Sequence, residues 1–131
     1  MRRRPSASLV TYPVTAGSRA DPIVIALHGE LGVATNSALR EQLLRALHRT
    51  DRLILDLAAV TRCDISTLAV LVGTQRRARL LGTTFHLAAP GPELAALLNV
   101  TGLDRSLTIL PTLARALGQA RADGLRPVQA A

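Results

Sequence analysis

Asp64, Ser66 and Thr67 put one carboxylate and two hydroxyls within four positions of a 131-residue chain otherwise poor in reactive groupings. They lie in the stretch RLILDLAAVTRCDISTLAVLVGTQRRARLL, residues 52–81. There an apolar run from Leu53 to Leu57 enters a polar turn at Thr61 to Ser66, and Leu68, Leu71, Val72 and Ala78 then recur at helical spacing. A strand feeding a helix through such a turn sets acid and hydroxyls beside the positive helix end.

Catalysis would need further groups, and the chain supplies few. Asp56 and Asp64 are eight residues apart, one in a strand and one in a turn, so they share no helix face. No GxSxG elbow and no acid–base pair beside a histidine occurs. Neither GxGxxG nor GxxxxGK[ST] follows any strand, so no phosphate loop is written into the sequence. His28, His48 and His86 lack metal-ligand spacing. Cys63 is the only cysteine, which excludes an internal disulfide and a cysteine-rich metal site. No cofactor is expected, and the residues point to an interaction module rather than an enzyme.

Composition supports a folded domain built on Leu, Ala and Val, with Tyr12 and Phe85 the only aromatic residues. The net charge of +7 is carried by arginine alone, and Arg2, Arg3 and Arg4 contribute three of those charges at the extreme N-terminus. Aromatic side chains that could stack on bases are missing, so direct nucleic-acid binding is not expected. The basic start is not followed by a signal-peptide core, and no apolar run reaches membrane-spanning length. A reducing cytoplasm is the expected setting.

The elements that must position Asp64 to Thr67 read as a β-strand followed by four βα units. A short strand, LVTYPV (9–14), carries Pro13, which suits a sheet edge. The turn at 15–22 leads to IVIAL (23–27), whose near-continuous apolar run predicts burial on both faces. Gly29 and Gly32 are expected to break this strand, with Thr35, Asn36 or Ser37 capping a helix that has Glu41 in an early turn and Leu39, Leu43, Ala46 and Leu47 on one face. His48 falls near the end of that helix. The stretch at 52–81 is the second unit. Thr83 to Ala88 then form a strand, Glu93 to Val100 a helix after Pro92, and Gly102 its C-terminal stop. Leu107 to Leu110 and a helix carrying Leu113, Ala116, Leu117 and Ala120 complete the set. The expected fold class is α/β, a mostly parallel sheet opened by a hairpin with helices packed on it. One domain over 8–122 is expected between an N-terminal tail (1–7) and a loose C-terminal tail (123–131).

Three segments in register, HGELGVATNSAL (28–39), LILDLAAVTRCDISTLAVL (53–71) and LAAPGPELAALLNVTGLDRSLTIL (87–110), resemble the STAS domain of bacterial anti-sigma factor antagonists. The first is similar to that family's G-E-L-D-x-x-T stretch, the second to its strand-to-helix switch, and the third to a helix ending in T-G-L. The resemblance implies the STAS fold and a partner, an anti-sigma factor that is often a serine kinase of the GHKL type, whose capture releases a sigma factor. The kinase would switch the antagonist off by phosphorylating the helix start, adding nearly two negative charges to a surface fitted to a neutral hydroxyl. On this sequence the implied contact residues are Glu30, Thr35, Asp64, Ile65, Ser66, Thr67 and Leu68. Two departures stand out. Ile65 occupies the usual phospho-acceptor position with Thr67 in place of Gly, and Gly32 replaces the Asp of G-E-L-D.

Several residues keep two readings at this stage. Ser66 is a displaced phospho-acceptor, with Thr67 the second choice, or it is only a helix cap. Asp64 contacts the partner or bonds its own turn. Cys63 is a redox sensor or a packed small residue. Arg76, Arg77 and Arg79 form an anion-binding patch or a solvated helix face. For the whole chain the alternative to an anti-sigma antagonist is an architectural STAS subunit of a larger assembly, such as a stressosome or a lipid-transport complex. The oligomeric state is open.

Overall fold

Right-handed crossovers that always step in the same direction across a sheet must all lie on one of its faces, and that rule shapes this molecule. The computed structural model describes residues 8–13 and 18–125. Strands β1 (Ser8–Pro13), β2 (Ile23–Leu31), β3 (Arg52–Cys63), β4 (Thr84–Ala88) and β5 (Thr108–Leu110) lie in sequence order across one sheet. β1 runs antiparallel to β2 as the expected hairpin, and β2 to β5 are parallel. Helices α1 (Val33–Leu47), α2 (Ile65–Leu81) and α3 (Pro92–Val100) connect successive parallel strands and share one face. Helix α4 (Leu113–Leu125) follows β5 and covers the other face. A short 3-10 turn, Leu103–Arg105, lies between α3 and β5. This is the expected α/β architecture.

The main core forms between the sheet and the first three helices. Ile25, Leu27, Leu53, Leu55, Leu57, Phe85 and Leu87 meet Leu39, Leu43 and Leu47 of α1, Leu68 and Leu71 of α2, and Leu94 and Leu98 of α3. On the opposite face Val24, Ile54 and Ala88 pack on Ala116 of α4. Alternation along each strand thus serves two layers at once, which is why β2 and β4 read as continuous apolar runs. His86 is buried on the strand between Phe85 and Leu87. Among the described residues no helix is long and apolar enough to cross a membrane.

Several boundaries differ from the sequence expectations. β2 continues through Gly29, which takes a left-handed φ of 84°, and ends at Leu31. β3 continues to Cys63, so the polar turn expected at Thr61 to Ser66 contracts to Asp64 alone. Among the described residues these two strands pair only with each other beyond the body of the sheet, Glu30 opposite Arg62 and Leu31 opposite Cys63, with register shifts at Ala26/His28 and Gly29/Glu30. Helix α1 begins at Val33 with Gly32 as its N-cap, so Thr35, Asn36 and Ser37 lie inside the helix rather than capping it, and Glu41 sits at mid-helix beside Arg45. Val72 is half-buried, whereas Val70 and Thr74 join the inward face of α2. Thr101 is the C-cap of α3 and Gly102 takes the left-handed position after it. α4 runs to Leu125, past the boundary expected at Ala122, and the remaining stretches expected as tails, 1–7 and 126–131, lie outside the described residues.

Candidate functional site

Asp64 is the hinge between the β2–β3 extension and α2. Its N–H donates to the Leu31 carbonyl at 2.9 Å, which fixes the strand end, and its Oδ2 accepts from the Ser66 N–H at 2.9 Å, which caps the helix. Asp64, not Ser66, is therefore the N-cap. An N-cap carboxylate satisfies one of the orphan helix donors and meets the positive end of the dipole. A hydrogen bond from the Ser66 side chain, then one from its backbone, holds the Asp64 carboxyl below the ordinary value for aspartate.

Across from Asp64, the start of α1 is closed by Thr35. Its Oγ1 accepts from the Gly32 N–H at 3.0 Å and donates to the Gly32 carbonyl at 3.1 Å. Gly32 has an extended backbone that any residue adopts, and a Cβ placed on it would lie 3.4 Å from the Asp64 Cβ. The missing family Asp at this position thus leaves Asp64 as the carboxylate of this junction.

One residue ties the two helix starts together. Asn36 Nδ2 donates to Ser66 Oγ at 2.9 Å, while its Oδ1 accepts from Thr67 Oγ1 at 2.7 Å. Thr67 is fully buried and Ser66 half-buried. Sequence reasoning placed Asn36 among possible helix caps and missed this role. Its spacing to Ser66 and Thr67 becomes contact only once α1 and α2 lie side by side, and no local signal announces it.

The residues proposed from sequence for partner contact divide into two groups. Glu30 and Ile65 are exposed, Asp64 is exposed between them, and Thr35 is half-buried on the same side. Thr67 and Leu68 are buried, Leu68 within the main core, so they support this surface from beneath and do not form it. Ile65 is the first residue of α2 and is 62% exposed, a large apolar side chain standing in solvent at the helix start.

Beside this helix start lies a half-open cleft of about 1100 Å³ between the start of α1, the end of β3 and α3. Leu94, Leu97, Val33 and Val100 give it an apolar wall, and Glu30, Arg62, Asp64 and Glu93 supply its charge. Val33 and Val100 are largely exposed. Cys63 also faces the cleft. Burial pushes its thiol above the ordinary value, a hydrogen bond with Thr67 opposes this, and the Asp64 charge adds to it. The Cys63 thiol donates to the Asp64 carbonyl at 3.6 Å. His28 and His48 lie elsewhere, His28 exposed on β2 and His48 as the C-cap of α1 with Nδ1 3.0 Å from the Leu44 carbonyl. Among the described residues no group of three or more His, Cys, Asp and Glu side chains is placed to hold a metal ion.

The helix start thus sets exposed apolar Ile65 and Val33 beside the carboxylate of Asp64 that caps α2. A family model described as Mlab, STAS domain, matches residues 14–113. An anti-sigma factor antagonist from Mycobacterium paratuberculosis superposes with a TM-score of 0.77 at 26% identity, covering 88% of this chain and 95% of its own. The anti-sigma factor antagonist SpoIIAA of Bacillus, in its unphosphorylated form, gives 0.74 at 20% identity over 88% of this chain and 97% of its own. The STAS domain of a SulP transporter from Vibrio cholerae gives 0.62 at 19% identity over 75% and 79%. The fold is thus shared by regulators and by transporter domains. With one family model spanning most of its length, the chain belongs to the STAS domain family.

Proposed function

We propose that the chain is an anti-sigma factor antagonist that docks on its anti-sigma factor through the start of α2, and that the phosphorylation switch of this helix start is lost. The observation carrying the reading is Ile65. It stands exposed directly after the capping Asp64, at the position where the family resemblance implies an acceptor hydroxyl. The two nearby hydroxyls are poor substitutes. Thr67 is buried and bonded to Asn36, and a phosphate on Ser66 would place a dianion against the Asp64 carboxylate. The 26% identity to the mycobacterial antagonist supports the same class.

The contact surface comprises Ile65, Asp64 and Glu30, with Thr35, Thr67 and Leu68 shaping it from within. The partner is an anti-sigma factor, a serine kinase of the GHKL type, in the cytoplasm. Titrating the chain against the anti-sigma factors of its own organism tests this. One of them should form a complex, release its sigma factor, and lose about tenfold or more in affinity with Ile65→Glu, as expected for an apolar anchor replaced by a charge. Binding to none of them would sink the reading. Incubation with the kinase and ATP should leave the helix start unmodified. Stoichiometric phosphate on Ser66 or Thr67 by mass spectrometry would show a moved switch instead of a lost one.

A second reading, an architectural STAS subunit of a larger assembly, is favoured by the likeness to the SulP transporter domain. Co-purification with transporter subunits instead of an anti-sigma factor would select it.

A further inference from the structure

Helix α2 is unusual in carrying apolar and small residues outward as well as inward. Its exposed positions Ile65, Ala69, Gly73, Arg76 and Leu80 follow at spacings of four, four, three and four, which places them in one stripe. The inward face is Leu68, Leu71, Thr74 and Ala78. One flank of the helix is held to α1 through Asn36 and Ser66, and the other through Gln75 Nε2, which donates to the Ser106 carbonyl at 3.2 Å. The stripe lies between these flanks with Ile65 62% and Leu80 81% exposed at its two ends. A surface helix normally presents charge there.

We infer that this stripe seats a second copy of the chain, two α2 helices packing antiparallel about a two-fold axis near Val72 and Gly73. A two-fold contact is self-complementary, so each residue must suit the one it meets in the other copy. In the antiparallel register Leu80 meets Ile65 of the second copy, and Arg76 meets Ala69. Charge selects the same register. α2 carries Arg76, Arg77 and Arg79 toward its end and no acid along its length, while exposed Asp64 caps its start. A parallel pair would set arginine against arginine, whereas the antiparallel pair brings Arg79 beside Asp64 of the second copy and opposes the two helix dipoles. At the axis a Cβ on Gly73 meets nothing within 4 Å, so the backbones have room to approach.

Two helices of this length bury less than a standard stable interface, so the dimer is weak and forms with rising concentration. The consequence for regulation rests on the reading of Ile65 as a partner contact. The dimer covers Ile65, so self-association withholds the docking surface by mass action where the phosphate switch is missing.

Sedimentation velocity of the intact chain, from low micromolar to sub-millimolar concentration, tests the pairing without any partner present. The expected mass rises from 13.9 kDa toward twice that value. Gly73→Arg and Leu80→Asp, both at solvent-facing positions, should stay monomeric throughout while melting as the wild type does. Gly73→Cys should cross-link to a covalent dimer on mild oxidation, and Ser37→Cys on exposed α1 should not. A wild type that stays monomeric, assemblies larger than a dimer, variants that dimerise unchanged, or equal cross-linking at both positions would each overturn the proposal. None of these results bears on whether an anti-sigma factor binds, so the two readings fail separately.

Discussion

The buried Thr67 hydroxyl donates to Asn36 Oδ1 at 2.7 Å, joining the first turn of α2 to that of α1. The same Asn36 amide donates to Ser66 through its Nδ2. The two helix starts are therefore set by one side chain, and their relative position depends on a planar amide with a donor and an acceptor at fixed separation.

Asn36→Ala removes both bonds and leaves the buried Thr67 hydroxyl with only its contact to the Cys63 thiol. A buried polar group that loses its partner costs about 1–3 kcal/mol. Urea unfolding should show that loss as a lower midpoint at unchanged slope. Combining Asn36→Ala with Thr67→Val should cost less than the two changes summed, because no hydroxyl deprived of its Asn36 acceptor remains. Additive losses would mean that the Asn36–Thr67 bond carries no coupling.

The Asp64 carboxyl titrates below its ordinary value chiefly because the Ser66 side chain bonds its charged form. Ser66→Ala should move the midpoint upward when followed by NMR. Gly32→Asp should do the same by setting a second carboxylate against it, since the Cβ atoms would lie 3.4 Å apart. The sign for stability follows from a folded-state value that is depressed. The contribution is present above the unfolded value and is lost as the pH falls through the folded one. A midpoint at or above the ordinary aspartate value in the wild type would contradict the capping geometry.

Cys63 should react slowly with thiol reagents at neutral pH, because burial first and the Asp64 charge last keep its thiol protonated. Asp64→Asn should quicken the reaction modestly by removing the smaller of those two effects. A raised thiol value contributes stability that is complete below the unfolded value and lost as the pH rises through the folded one. Rapid modification of the native wild type would favour the redox-sensor reading of Cys63 over the packed one.

Why the α/β order was legible and the site was not can be traced to particular residues. Leu53, Leu55 and Leu57 announce β3 because they face three helices, but its last residues, Ala58 to Cys63, pair among the described residues only with β2 and are mostly exposed. From this stretch Val60 and Cys63 reach the main core but stay half-buried, so the apolar pattern thins after Leu57. On β2, backbone pairing and a left-handed Gly29 carry the strand past the glycine expected to end it, through exposed His28 and Glu30 to Leu31, which is buried in the main core. Once those strands are lengthened, Asp64 becomes the cap and Ser66 moves inside the helix. Asn36 was illegible for another reason. Its partners are about thirty residues away, and only the side-by-side packing of α1 and α2 brings them to it.

Ile65→Ser tests the proposed loss of the switch most directly. The change puts a hydroxyl on the first residue of α2, right after the capping Asp64, at a position 62% exposed. Substitution of an exposed side chain that carries no internal bond should alter stability by no more than about 0.5 kcal/mol, so any functional change is read without a folding defect. With the partner kinase and ATP, intact-mass measurement should show one phosphate on the Ile65→Ser chain and none on the wild type. The modified variant should then release its anti-sigma factor, because a dianion at the positive helix end is stable there while the apolar surface it replaces is gone. Equal phosphorylation of the wild type would place the acceptor elsewhere on the chain. A phosphorylated Ile65→Ser that stays bound would remove residue 65 from the contact surface.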